Sequence, residues 1–339
     1  MHNDVGRSFV REVSKKSLPS HVPPPRPIAE IDALRAQFEF AAHAPSTRRG
    51  YSHEMSTFAA WCRAVGAAPL PATPDTVARY LVERAAQGRK SGTLRYFLSA
   101  VALAHRAIGQ PSPTEDIAVE RAMRGIERMI GTRRTPKTAA TVPILRQLLA
   151  ATSDDTLLGK RNRAILLLGF ASALRRSELC ALRLEHVAHD ARGITIFIAR
   201  SKTDQTGEGQ TVGVPRALDD AVCPVRALGE WVVAAGIERG PVFLAFRGRS
   251  QSHLVAPTRA CGVDTIVRTI KAAARRAGLD PRDFAGHSLR RGLATSAARA
   301  KKDIRAIQAQ LRHAQATTTL RYVEEAALLD DDNAVAGLL

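Results

Sequence analysis

Residues 164–174 are the longest apolar run in the chain, and an arginine closes it at each end, Arg163 and Arg175. Eleven residues fall well short of the ~20 that cross a bilayer, so the run predicts a helix buried in a protein core. A helix that is apolar all round has to be covered on every side. The chain must therefore build a globular body around its middle, and 339 residues leave room for a second one.

The flanking sequence reads mostly as helices. Residues 1–28 hold a proline cluster (Pro19, Pro23, Pro24, Pro25, Pro27) and few large apolar side chains, which predicts a flexible leader. Pro45-Ser46-Thr47 opens a helix expected to run to Ala64, with Tyr51, Met55, Phe58 and Trp61 on one face. Thr73 is placed to cap a helix that begins with Pro74 and ends at Ala86. Ser91 opens another through Ile108, and Ser112-Pro113 one through Ile130. No strand-like alternation precedes residue 190. It occurs first in Gly193–Lys202 and again in Gln210–Pro215, with Thr206-Gly-Glu-Gly209 between them, which predicts one β-hairpin. The expected fold class is mainly α with a small β-sheet (α+β), in two domains. A helical lobe over 29–137 ends in a basic linker, and a second lobe covers 138–339.

Charge narrows the partner. Fifty Lys and Arg against 32 Asp and Glu leave +18, divided as +10 over residues 1–150 and +8 over 151–339. An excess on both halves repels itself unless a polyanion compensates it, which favours nucleic acid over a membrane surface. Between Arg121 and Lys137 six basic side chains face one acid, Glu127. That stretch is either a solvated helix face with an exposed linker or a strap along a phosphate backbone. Met1–Val10 lacks the apolar region of a signal peptide, which predicts a protein kept inside the cell. Cys62, Cys180, Cys223 and Cys261 lie far apart with no Cys-x-x-Cys pair, and so predict reduced core thiols.

Five local patterns carry candidate chemistry, and each has an ordinary structural explanation alone. Arg175 and Glu178, three apart, can share a helix face or simply form a surface ion pair. Lys202 ends the first hairpin strand, where lysine commonly blocks an edge. His287 and Arg290 can point to one place or merely begin a helix. His313 sits in a short polar break between helices, and Tyr322 in a helix that follows, where an aromatic is usually core or rim. Together they suit one chemistry. A phosphodiester under attack gains negative charge, which fixed cations and donors around its oxygens stabilise. Arginine grips two oxygens at once and keeps its charge. Arg175, Arg290, His287, His313 and Lys202 make such a pocket without a metal, and Tyr322 supplies a hydroxyl nucleophile. Carboxylate sets suited to two-metal catalysis are not evident around these motifs.

In order and local sequence these patterns resemble the tyrosine recombinases, or phage-integrase-type recombinases, a family that includes the Cre and Xer enzymes. Ser172-Ala-Leu-Arg175-Arg-Ser-Glu178-Leu179 is similar to the family's Thr-Gly-Leu-Arg-x-Ser-Glu-Leu box except at its first two positions. Lys202, within Arg200-Ser-Lys-Thr, resembles the hairpin lysine, and His287 with Arg290 resembles the His-x-x-Arg box. His313 through Tyr322 is similar to the Gly-His-x-x-x-x-x-Thr-x-x-Tyr ending, with Arg312 where glycine is common. The resemblance covers about 165–325 closely and 30–130 more loosely, the latter being similar to the family's core-binding domain.

The resemblance implies two lobes that close on duplex DNA as a clamp. Tyr322 would attack a backbone phosphate, leaving a 3′-phosphotyrosine and a free 5′-hydroxyl. Arg175, Arg290 and His313 would hold phosphate oxygens, Lys202 would protonate the leaving oxygen, and His287 would help remove the tyrosine proton. Glu178 would brace the basic pocket. No metal, ATP or other cofactor is implied. Arg48, Arg49, Lys90 and Arg95, near expected helix starts, are candidate phosphate contacts. Arg259, in a helix opened by Thr258, is a candidate reader of guanine. The implied partner is double-stranded DNA carrying a recombination site, paired by a tetramer in the cytoplasm at the nucleoid, with no membrane. Residues 323–339 are acidic and place Leu328, Val335 and Leu339 on one helical face. They are expected either to fold back on their own domain or to dock on a neighbouring protomer. Residues 1–28 are too short and proline-rich for an arm-binding domain, which favours a simple recombinase. A type IB topoisomerase and a catalytically silent DNA-binding protein are the alternatives on this scaffold, and six filled catalytic positions argue against the second.

Overall fold

The computed structural model describes residues 26–28, 30–31, 34, 44–133, 136–199, 208–247, 253–254 and 259–327. The chain divides into two compact units, Met1–Arg134 and Thr135–Leu339. The leader over 1–28 falls almost wholly outside the described residues, as do Lys202 and the segment beyond Ala327.

In the first unit, helix α1 (Pro45–Val65) buries Phe58 and Cys62 and ends at Gly66, whose φ of 70° suits a residue without a Cβ. Helix α2 (Pro74–Ala86) starts as expected, with the Thr73 hydroxyl accepting from the Thr76 amide at 3.2 Å. Helix α3 is Ser91–Ala107. The expected helix from Ser112 to Ile130 is interrupted: a 3-10 turn, Pro113–Glu115, precedes α4 (Ile117–Ile130). Asp116 causes the break, because its carboxylate caps the Ala118 amide at 2.7 Å and starts a new helix. The core is aromatic, with Tyr80 4.7 Å from Phe97 and 5.0 Å from Phe58 between ring centroids. Buried His105 latches the loop before α2, accepting from the Ala72 amide at Nε2 (2.8 Å) while Nδ1 donates to the Val101 carbonyl (2.9 Å).

The second unit is built around the apolar run. Helices α5 (Val142–Ala150) and α6 (Leu157–Ala171) open it, and Ala164, Ile165, Leu166 and Leu168 of α6 are fully buried. A short helix α7 (Arg176–Ala181) leads to a three-stranded antiparallel sheet in the order β1 (Val187–Asp190), β2 (Gly193–Ile198), β3 (Gln210–Pro215). Ile194 pairs with Val214 and Ile196 with Val212, turning one apolar face to the core. Sequence alternation located β2 and β3 but not β1, whose side chains are half-buried once and then exposed, leaving no period to read. Helix α8 (Pro224–Ala234) adds Trp231, which donates from Nε1 to the Val242 carbonyl at 2.7 Å. After the two-residue strands β4 (Phe246–Arg247) and β5 (His253–Leu254) come α9 (Val263–Arg276), α10 (Ser288–Arg299), α11 (Ile304–Leu311) and α12 (Ala316–Ala327). All four cysteines are buried and unbridged. Among the described residues no helix is long and apolar enough to cross a membrane.

Candidate active site

The Arg-x-x-Glu pattern is a helix cap turned inward. After α6 the chain reverses through Ala173, whose φ of 50° is left-handed, and Arg175 takes an extended conformation at the start of α7. Glu178, one turn into α7, accepts from the Arg175 amide (2.8 Å) and from Arg175 Nη1 (2.7 Å). The side chains are 13% and 4% exposed, so this is a buried pair and not the surface pair that the spacing alone allows. Arg312, between α11 and His313, donates from Nη2 at 2.6 Å to Glu178 Oε2, the oxygen that also accepts from the Arg175 amide. One carboxylate thus serves two guanidiniums.

Arg290, on α10, ties the pieces together. Its Nη1 donates to the Ala173 carbonyl at 2.7 Å and its Nη2 to the Leu311 carbonyl. The left-handed turn at Ala173, a position where an L-residue is uncommon, therefore presents a carbonyl to Arg290. Burial, then Arg175 and Arg312, push Arg290 down to about 10, which leaves it cationic near neutrality. His287 precedes α10 and is exposed, one turn before Arg290.

His313 and Tyr322 form the other wall. The His313 Nδ1 lies 2.9 Å from the Thr319 hydroxyl, and Thr319 is fully buried. The His313 and Tyr322 rings stack with centroids 6.2 Å apart and planes within 15°. Tyr322 leans on a small apolar cluster of Ala173, Ala294, Ala298, Ile307 and Leu311. Burial and the cations Arg290, Arg175 and Arg312 hold His313 at about 4, so its ring is neutral at pH 7. Thr319 engages Nδ1, so Nε2 is the ring nitrogen left for another partner.

Arg175, Glu178, Arg290, His313 and Tyr322 are therefore brought together from three separate stretches of sequence. The loop bearing Lys202 lies outside the described residues, although the strands on either side of it, β2 and β3, are in place. The roles of Arg312 and Thr319 were not assigned from sequence, where the only signals were an arginine at a glycine position and a threonine six residues after His313. Among the described residues no group of three His, Cys, Asp or Glu side chains gathers where a metal ion could sit.

The candidate DNA contacts fare unevenly. Arg48 and Arg49 lie in the first turn of α1, and Lys90 is exposed just before α3. Arg95 is held by Glu127 of α4 through two bonds of 2.6 and 2.8 Å, so its fork is occupied within the first unit. Arg259 is exposed but does not open a helix: its carbonyl accepts from the Ala245 amide at 3.0 Å, and α9 begins at Val263. Pairing with the 244–245 backbone keeps this segment extended for four more residues.

Residues 144–328 match the model of the phage integrase family. Over 292 residues the chain is 35% identical to an integrase/recombinase xerD homolog of Selenomonas ruminantium, covering 85% of this chain and 84% of that protein. It is 26% identical to the recombinase cre of Escherichia phage P1, covering 80% of each. Among solved structures, a lambda integrase dimer bound to a COC′ core site superposes with a TM-score of 0.59 at 17% identity, over 97% of this chain and 82% of that one. At that identity the likeness is one of fold.

Proposed function

The chain belongs to the phage integrase family and is a site-specific DNA recombinase, and we propose that Tyr322 is the nucleophile that joins it covalently to DNA. The observation that carries this reading is the convergence of Arg175, Arg290, His313 and Tyr322: Glu178 holds Arg175, the Ala173 and Leu311 carbonyls hold Arg290 between the segments that carry Arg175 and His313, and Tyr322 stacks on His313. A phosphodiester entering such a pocket meets a surplus of desolvated cations, and that surplus favours the extra charge of a five-coordinate phosphorus. The Tyr322 oxygen attacks phosphorus, the bond to the 5′-oxygen breaks, and the energy of the backbone linkage is kept in the phosphotyrosine. A second DNA end then reverses the step.

Arg175 and Arg290 bind the non-bridging oxygens, and neutral His313 donates to one of them from Nε2. A free tyrosine has a pKa of about 10, so its proton needs an acceptor or a cationic field. His287 is assigned the first role and the arginines supply the second. Lys202, carried between β2 and β3, is assigned the proton for the departing 5′-oxygen. The 29–137 lobe and the 138–339 lobe are assigned to core-site binding and catalysis respectively. Duplex DNA is the partner, consistent with the +18 charge, and Arg48, Arg49, Lys90 and Arg259 are the remaining phosphate or base contacts. The protein works in the cytoplasm at the nucleoid, as a tetramer on paired sites. An apolar groove of about 560 Å³, lined by Val142, Leu145, Phe170, Leu293, Ala297 and Ile307, supports docking of a neighbour's C-terminal segment.

A nicked suicide substrate tests the nucleophile. The wild-type chain should leave a protein–DNA adduct on a denaturing gel, and Tyr322→Phe should leave none while still shifting the intact site in a native gel. An adduct that survives the substitution would move the nucleophile to Tyr51, Tyr80 or Tyr96.

A further inference from the structure

Arg312 has no part in the roles above, yet it is built into the pocket. It closes α11 with φ 52° and ψ 49°, a left-handed conformation that glycine adopts without penalty and other residues do not. Its side chain is only 4% exposed, as is that of Glu178, to which Nη2 donates at 2.6 Å. Its Nε and Nη1 are buried with no hydrogen-bond partner. A guanidinium of that kind is held in place by charge more than by bonding.

The charge count explains what it does. Glu178 fixes Arg175 by accepting from both its amide and Nη1. A carboxylate that paired with Arg175 alone would cancel the arginine's field where a phosphate is to bind. Arg312 shares Glu178 Oε2 with the Arg175 amide and restores a net positive charge to the trio, beside the buried guanidinium of Arg290. We propose that Arg312 is a positioning residue of the active site, which acts through Glu178 to keep the Arg175 pocket cationic for the scissile phosphodiester. This role rests on the recombinase reading of the site. The same cation is among those that depress His313, so its removal has a second, spectroscopic consequence.

The test uses the full chain, the nicked substrate and four variants. A directly bonded oxyanion donor is worth about 10²–10³ in rate, and Arg312 acts at one remove, so Arg312→Gly should slow adduct formation about tenfold. Glycine suits the turn, so the backbone there is kept, and the variants are compared at a temperature where all of them remain folded. Arg312→Met, which keeps bulk without charge, should slow cleavage similarly, and Arg312→Lys should recover most of the rate. The double variant Arg312→Gly with Glu178→Gln removes one charge of each sign and should cleave faster than Arg312→Gly alone. The His313 titration, followed by NMR, should move upward in Arg312→Gly and stay near its wild-type position in Arg312→Lys. Wild-type cleavage rates in both uncharged variants, or a double variant slower than Arg312→Gly, would overturn the proposal. A wild-type chain that forms no adduct would instead overturn the recombinase reading.

Discussion

Replacing Glu178 by Gln keeps the shape of the side chain but removes the one carboxylate that Arg175 and Arg312 share. The buried Arg312 guanidinium then loses its carboxylate, a loss of the kind that costs about 3–5 kcal/mol, and denaturant unfolding of Glu178→Gln should show it. His313 titrates in the opposite sense from a paired histidine. Its folded value of about 4 lies below its ordinary 6.5, so the unfolded chain binds the proton more readily. Stability should therefore be fully present above pH 6.5 and fall as pH drops from 6.5 towards 4, and His313→Gln should flatten that interval in a series of melting curves. At this scale the sequence was informative about residue type and spacing and silent about pairing. A spacing of three from Arg175 to Glu178 fits a surface pair and a buried cap equally. Only the fold brings Arg312, 134 residues away, onto the same carboxylate.

The elements that hold these residues were legible where their signals are local. Thr73 before Pro74 starts a helix, and the apolar run 164–174 lies in and just after α6 because both signals act within a few residues. The sheet's first strand and the start of α9 were not, since β1 has no alternation and the segment at Arg259 is kept extended by the backbone of residues 244–245. A second cap inside an expected helix, such as Asp116, is weak in composition and decisive in geometry. Helix α10, which carries Arg290, also depends on a close approach. At Gly292 an added Cβ would lie 2.0 Å from the Ala140 carbonyl oxygen, whose own amide donates to the Ser288 carbonyl at 2.9 Å. Gly292→Ala should therefore push α10 away from the Ala140 backbone and cost about 1–3 kcal/mol. Because Arg290 moves with the helix, adduct formation should slow as well, which a loss of stability alone would not produce at low temperature.

For the whole molecule, the basic charge of both halves and the pocket in the second unit assign binding and cleavage to one chain, while pairing of sites requires contacts between chains. Deleting residues 327–339 should leave single-site binding nearly unchanged, weaken pairing of two sites and slow recombination, because head-to-tail docking can close a ring. Synaptic complexes that form at the full-length concentration dependence would contradict docking. The central claim is a metal-free covalent step at Tyr322. Trapping the chain on a nicked substrate in EDTA, digesting the DNA and locating the residual nucleotide by mass spectrometry measures it directly. The account predicts a 3′-linked nucleotide on the peptide that holds Tyr322, formed at an undiminished rate in EDTA, with a 5′-hydroxyl on the released strand. A nucleotide on any other residue, a linkage through the 5′ end, or cleavage that stops in EDTA and returns with Mg²⁺ would contradict it.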